Sequence, residues 1–522
     1  MNYPKFFNRL WLWSQAKDHK EFVDNQHGVK AFQLQKLQKY LAENARTQYG
    51  LAHNFAQIAN YETYAASIPI IEDYTVLNDY ITAIAAGSKN ILTKEKVLFF
   101  ESTSGSSGNS KWIPYTKALK TEFQKGVATW LVDTHRQNPK VFSGKSYWSI
   151  SPPFKSKEMT SGGLRVGMSA DTDYFNPLDA FLIEQIMAVP SKTIKVQDSN
   201  AFYNDLCLRL LSDESLSFVS VWSPNYLLQL DEFMRTNWIQ LLIHLSKSRR
   251  QFLQSLGPDF DWKMIFSNLQ LVSCWTEAQS QLWLPQVTKI LGDVKIQAKG
   301  LLSTEGVTTI PFHGQNVLAY TSHFYEFKDI SSGQLVLFDG LVIGSTYEVI
   351  LTTGGGLYRY NTHDLVVLST YLDQLPVLQF IGKSNDVSDL LGEKINPQHL
   401  YPIFSELISD KDYNIRAMYM HPVKSGNQVI YEVILESDRD TDFSRLSPII
   451  EAHLQKNPYY AQSRGTGQLL PLRIQQVKIG FTKSLLNFYK AQKQIKDGDV
   501  KLPILFKLNE LTSLINELTP HD

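Results

Sequence analysis

At 522 residues the chain exceeds one ordinary hydrophobic core, so two or three domains are expected, and 43% hydrophobic with 12% aromatic content is ample to fill them. Lys plus Arg and Asp plus Glu each number 51, a zero balance that excludes a dedicated nucleic-acid binder relying on basic excess. Cys207 and Cys274 match no zinc or redox spacing and predict a reduced, cytoplasmic protein with packing thiols and no structural disulfide.

In chain order, the apolar start Phe6-Phe7-Asn8-Arg9-Leu10-Trp11 is soon interrupted by Lys17-Asp18-His19-Lys20 and lacks the features of a signal peptide. No later stretch approaches the roughly 18 apolar residues of a membrane span, so no membrane association is expected. Ala31 to Ala45 predicts a helix, and Ile68 to Ile84 carries short apolar clusters. Val97-Leu98-Phe99-Phe100 predicts a strand that runs into Glu101-Ser-Thr-Ser-Gly-Ser-Ser-Gly-Asn-Ser-Lys-Trp-Ile-Pro114. Gly105 and Gly108 free the backbone to turn N–H groups inward, and Thr103, Ser104, Ser106 and Ser107 add hydroxyls; Lys111 adds a mobile positive charge. The Walker spacing is absent, leaving two readings, a phosphate cradle or a flexible Ser/Gly linker.

From Pro224 one long helix is expected, with Leu227, Leu230, Phe233, Met234, Trp238, Leu241, Leu242 and Leu245 on a wide apolar face, Asp231 and Glu232 near its start and Lys247, Arg249 and Arg250 at its end. Leu269–Cys274, Ser280–Leu291 and Val294–Ala298 then alternate strand, helix and strand, the rhythm of parallel α/β structure with ligands at strand ends. A β-rich part follows at Gly340–Ser345, Tyr347–Thr352 and Asp364–Leu368. The polar cluster Gly382-Lys383-Ser384-Asn385-Asp386 marks the expected boundary between domains 1–382 and 383–522.

Further turns follow strand candidates. Lys299-Gly-Leu-Leu-Ser-Thr-Glu-Gly306 offers hydroxyls and one carboxylate, suited to a magnesium ion needing few protein oxygens, or a solvated surface charge. Gly356-Leu-Tyr-Arg-Tyr-Asn-Thr-His-Asp364 places an acid where ribose hydroxyls can be accepted, and Gly392-Glu-Lys-Ile-Asn-Pro397, Asn457-Pro-Tyr-Tyr460 and Gly498-Asp-Val-Lys-Leu-Pro503 lie beyond the boundary.

Taken together, these motifs resemble the acyl-adenylate-forming superfamily and, more narrowly, the Gretchen Hagen (auxin-responsive promoter) family of acyl-acid amido synthetases, in order from residue 103 to 503. Leu301-Leu302 is similar to the bacterial type, where plant members carry Tyr-Gly. The resemblance implies an α/β fold: a large N-terminal domain of mixed and parallel sheets with a β-rich part, and a small mobile α+β C-terminal domain pivoting near Asn385. It implies ATP as substrate and Mg as cofactor. Thr103, Ser104, Gly105, Ser106, Ser107, Leu302, Ser303, Thr304, Asp364, Lys383 and Lys394 would bind the nucleotide. Lys111, Glu305 and Lys501 would act in catalysis, with Glu305 on the metal; His363 replaces the usual Gly and Ile504 the usual Arg, and Lys501 remains open between an active-site lysine and an exposed one.

Candidates for the acyl pocket are Arg165, Trp222, Ser223, Tyr226, Tyr325 and Phe327, each equally compatible with ordinary structure. The expected reaction adenylates a small carboxylic acid and passes the acyl group to an amine such as an amino acid, with no obligate protein partner. An acyl-CoA ligase and a non-catalytic nucleotide-binding protein are the alternatives. No protein nucleophile is expected, since no Gly-x-Ser-x-Gly, His-Glu-x-x-His or Cys/His pattern occurs.

Overall fold

The computed structural model describes residues 3–103, 111–149, 158–167, 177–190, 198–425, 428–439, 442–493, 500–508, 510–511 and 515. The chain divides into two compact units: Met1–Trp275 with Val287–Phe380, and Thr276–Gln286 with Ile381–Asp522.

The first unit contains three sheets. Its strands in order are β1 (Phe99–Ser102), β2 (Trp112–Tyr115), β3 (Lys145–Trp148), β4 (Glu158–Met159), β5 (Arg165–Val166), β6 (Leu216–Ser220), β7 (Leu271–Cys274), β8 (Lys295–Ala298), β9 (Thr309–Phe312), β10 (Gln315–Leu318), β11 (Phe324–Asp329), β12 (Leu335–Val336), β13 (Thr346–Thr352), β14 (Tyr360–Leu372) and β15 (Leu375–Lys383), the last ending just past the division. One sheet has the order β2-β1-β5-β4, a second β3-β6-β7-β8, and the third β12-β11-β13-β14-β15-β10-β9. All neighbours in the second sheet are parallel, as the strand–helix rhythm predicts, so their carboxyl ends share one edge. The third is the β-rich part. Its strands are joined by antiparallel pairing, including the full β11–β13 register from Phe324↔Thr352 to Asp329↔Tyr347.

The helix expected over Ala31–Ala45 spans Val29–Asn44. The long helix from Pro224 is instead three: Pro224–Thr236, Trp238–Ile243 and Lys247–Leu256. Asn237 sits outside helical geometry at φ −106°, ψ 19°, and Ser246 caps the third helix by accepting from Arg249 N–H. The basic residues therefore open a new helix, and Asp231 pairs locally with Arg235 at 2.7 Å. The apolar face survives the breaks: Leu227, Leu230, Met234, Trp238, Leu241 and Leu242 share one core cluster. Gly340–Ser345 is a turn, with Val342 and Ile343 exposed and Gly344 at φ +84°.

The second unit carries the three-stranded sheet of β16 (Ile415–Ser425), β17 (Gln428–Ser437) and β18 (Arg473–Val477), with helices including Tyr401–Ser409 and Phe481–Lys493. Both cysteines are buried free thiols, and burial pushes Cys274 up to about 12. Among the described residues no helix is long and apolar enough to cross a membrane.

Candidate active site

The first motif grows from an antiparallel β1–β2 pair. Thr103 N–H donates to Lys111 C=O at 2.9 Å and so draws together the two ends of segment 104–110. Ser104, Gly105, Ser106 and Ser107 lie outside the described residues. Thr103 Oγ1 is buried with no hydrogen bond among the described residues, a donor left for an incoming acceptor. Lys111 Nζ donates to Tyr360 OH at 3.1 Å and lies 5.7 Å from the Tyr74 ring centroid. Tyr74 is clamped in turn, its hydroxyl donating to Trp112 C=O at 2.5 Å and accepting from Trp112 N–H at 3.1 Å.

The second motif turns away from β8. Gly300 has φ +81°, and a Cβ there would stand 2.4 Å from Thr309 C=O, so only glycine lets the chain pass β9 this closely. Leu301 and Leu302 bury their side chains in the core, and Leu302 bridges Val307. Leu302 thus packs as scaffold. Ser303 N–H donates to Gly306 C=O at 2.9 Å, closing a turn that carries Thr304 and Glu305 at its tip. Tyr115 OH donates to Thr304 C=O at 2.8 Å, tying this turn to β2.

The third motif shows why Tyr358-Arg359-Tyr360 has its form. Tyr358 is buried, stacks on Tyr49 at 5.1 Å and donates to Leu92 C=O at 2.9 Å. Arg359, at φ +49°, points the other way. Its Nε and Nη2 bond both oxygens of buried Glu326, and its Nη1 reaches Ala65 C=O at 2.7 Å and Ile68 C=O at 2.6 Å. These charge-assisted bonds offset the left-handed backbone. Tyr360 is thereby directed at Lys111, and Asp364 follows, buried on β14 with its N–H bonded to Thr362 Oγ1 at 3.1 Å. His363 Nε2 donates to Glu72 C=O at 2.9 Å, and its Nδ1 lies 3.5 Å from Glu348 Oε1.

Tyr360 is where the three motifs meet. Burial pushes its phenol up, and the charges of Glu305, then Asp364 and Asp73, push it further. The Tyr74 phenol is likewise raised, by burial first and then by Glu305. Lys111, Tyr74 and Tyr360 thus share one polar corner, and the charges of Glu305, Asp364 and Asp73 act on Tyr360 there. Its donor set fits a magnesium ion shared with a triphosphate: such a site asks one or two protein carboxylates, and no hydrogen bond or ion pair occupies Glu305 among the described residues. Among the described residues no group of three or more His, Cys, Asp or Glu side chains is placed to hold a metal ion.

Three models of one family match in order: the GH3 family N-terminal domain over residues 18–255, the central domain over 316–383 and the C-terminal domain over 404–510. The chain belongs to the GH3 family. Among curated relatives of this GH3 protein, the indole-3-acetic acid-amido synthetase GH3.4 of Arabidopsis thaliana is 21% identical, across 92% of this chain and 90% of the relative. The 4-substituted benzoates-glutamate ligase GH3.12 of Arabidopsis thaliana is also 21% identical, across 94% and 95%. The solved acyl acid amido synthetase AtGH3.15, in complex with 2,4-DB, superposes with a TM-score of 0.86 at 17% identity, covering 97% of this chain and 96% of that one. A 2-hydroxyisobutyryl-CoA ligase in its postadenylation state gives 0.51 at 10% identity, covering 94% and 90%, so the GH3 chain has the acyl-adenylate-forming fold.

The remaining candidates of the GH3 chain separate by position. Trp222 stands at the carboxyl edge of the parallel sheet, 5.6 Å from Trp275 between ring centroids, with Lys299 Nζ 4.6 Å from its ring and donating to Ser220 Oγ at 2.6 Å. Strand ends of this kind are where ligands bind in parallel sheets. Tyr74, Tyr115 and Trp275 escape motif reading, and Lys299 opens the second motif with no role assigned to it; Trp275 and Lys299 follow β7 and β8, so strand-end position was the available signal. Arg165 pairs with Phe99 in register and lies 5.3 Å over its ring. Tyr226 is fully buried with its hydroxyl 3.0 Å from Tyr147 OH, Tyr325 donates to Val307 and Ala319 carbonyls at 2.6 and 2.8 Å, and Phe327 is core. These three are packing residues, and Ser223 is a buried residue at a helix start. Lys383, Lys394 and Lys501 belong to the second unit. There Lys394, at φ +45°, lies 5.2 Å over Tyr459, and Asn457 donates to the carbonyls of Glu393 and Lys394 at 3.2 Å each, so two C-terminal motifs meet; Lys501 is exposed.

Proposed function

We propose that this chain is an ATP-dependent acyl-acid amido synthetase that adenylates a small carboxylic acid and transfers the acyl group to an amine, in first place an amino acid. The observation that carries the reading is the convergence of Lys111, Glu305 and Asp364 about Tyr360, from three motifs, in a GH3 chain. In the first half-reaction a carboxylate oxygen of the acid attacks the α-phosphorus of ATP and pyrophosphate leaves. In the second the amine attacks the acyl carbon, AMP leaves with the bonding pair, and the amine gives up a proton.

Thr103, Lys111 and the hydroxyls and N–H groups of 104–107 would bind the phosphates. Ser303 and Thr304 flank them, and Asp364 would accept from the ribose hydroxyls. Magnesium, held by Glu305, would supply charge neutralisation on the phosphoryl oxygens. Lys111 neutralises developing charge at a site already shaped by Tyr74 and Tyr360, so little reorganisation accompanies the reaction. Residues 383–522 would form the lid domain, with Lys383, Lys394 and Lys501 as its cationic contacts. Trp222 and Trp275 suit a flat or apolar acid, and Arg165 is the candidate for a polar acyl substituent.

Incubation with ATP, magnesium, an acid panel and the amino acids, read by mass spectrometry, tests this directly. An amide with equimolar AMP supports the reading. AMP release and thioester formation with CoA, without amide from any amine, would reassign the chain to the ligases that use a thiol acceptor.

A further inference from the structure

The helix Lys117–Gln137, which follows directly on β2, carries an acid that the chemistry above does not use. Glu122 is buried, and three donors converge on it: Tyr40 OH at 2.7 Å, Gly354 N–H at 2.9 Å and His323 Nδ1 at 3.0 Å. The other ring nitrogen of His323, Nε2, lies 3.0 Å from Val307 N, whose amide donates to it. A backbone amide can only donate. Nε2 therefore presents its lone pair, and the proton of the neutral ring sits on Nδ1, pointing at Glu122. Burial works to raise the Glu122 carboxyl, but the His323 hydrogen bond, the Lys36 ammonium and Gly354 N–H hold it below the usual carboxylate range.

Val307 lies two residues beyond Glu305, and both its backbone groups are engaged: N–H by His323, C=O by Tyr325 OH at 2.6 Å. His323 is itself fixed by Gln33, which donates to its carbonyl at 2.6 Å, and its side chain leaves no room beside it. A Cβ on Gly306 would stand 2.7 Å from His323 Nε2. A closed chain of contacts thus runs from Gly354, before the ribose motif, through Glu122 and His323 to the turn that carries Glu305.

We propose that Glu122 and His323 are positioning residues that hold the 303–307 turn so that Glu305 is placed to receive magnesium with ATP. The inference rests on the assignment of Glu305 to the metal under the proposed function. Outer partners of metal ligands typically change affinity or activity about 10–100-fold when removed. His323→Leu deletes both bonds at similar volume. His323→Gln keeps one donor and one acceptor. Gly306→Ala crowds the ring at Nε2 while leaving the histidine unsubstituted.

The experiment measures ATP binding by calorimetry with and without magnesium, the magnesium dependence of acid-driven pyrophosphate exchange, and hydrogen exchange of 303–307 in the metal-free protein. For His323→Leu the half-saturating magnesium rises about tenfold or more, while ATP affinity without magnesium and acid KM stay within about twofold. Amide exchange of 303–307 is faster, His323→Gln recovers most of the loss, and Gly306→Ala follows His323→Leu. A folded His323→Leu protein with wild-type magnesium dependence of ATP binding overturns the inference, whatever the exchange reaction shows. If wild type binds Mg–ATP but drives no exchange with any acid, the proposed activity fails while the binding data still decide the inference. A wild-type chain with no magnesium effect on ATP binding overturns the inference too.

Discussion

The polar corner around Tyr360 and the tryptophan edge of the parallel sheet are built in opposite ways. In the corner, each functional group comes from a short contiguous motif whose backbone is pinned: Thr103 to Lys111, Ser303 to Gly306, and Arg359 to Glu326. At the edge, Trp222, Trp275 and Lys299 come singly from the ends of three strands and meet only through the sheet. A site that performs the same phosphoryl chemistry on every acid needs the first kind of construction. One that accommodates different acids tolerates the second, since a single strand-end residue is replaced without disturbing its neighbours.

The largest effect should come from the pin beneath the corner. Arg359→Ala leaves Glu326 buried and uncompensated and is expected to lower stability by about 3–5 kcal/mol, read as a fall in the denaturant midpoint; Arg359→Lys, lacking the planar fork, should not restore it. An unchanged midpoint would mean that the corner is pinned elsewhere. Next, Glu305→Ala should reduce adenylation about a hundredfold, corresponding to about 2.7 kcal/mol, with the thermal midpoint retained. Full activity in that variant would remove the metal assignment. At the edge, Trp222→Ala should raise the KM for a preferred aromatic acid about tenfold with a smaller change in kcat, and equal effects on all acids would contradict a selective surface there. The smallest effect belongs to Tyr360→Phe, which removes the Lys111 hydrogen bond, worth about 1 kcal/mol, and keeps the ring. A severalfold rise in KM for ATP at unchanged acid KM is expected, and a change confined to the acid would misplace Lys111.

What the sequence made legible follows the same division. The glycines and hydroxyls after Phe100, the Thr304-Glu305 turn and the Tyr358–Asp364 run are local patterns, and the strand–helix rhythm from Leu269 carried the parallel sheet. Long-range placement was not legible. Tyr226 and Tyr325 have the residue type of pocket walls, yet their hydroxyls are taken up by Tyr147, Val307 and Ala319 inside the core, a fact set by tertiary packing. Helical periodicity continued through Asn237 and Ser246 because the apolar stripe does continue, while the breaks are made by capping chemistry at single residues. His323 and Glu122, 201 residues apart, carry no motif at all.

The most direct test of the account is carboxylate-dependent exchange of labelled pyrophosphate into ATP across aryl, indolyl and fatty acids, since it reads adenylation without requiring the acceptor. Magnesium-dependent exchange with at least one acid, lost in Glu305→Ala, is expected. Folded wild-type protein that binds Mg–ATP and exchanges with none of these acids would contradict it.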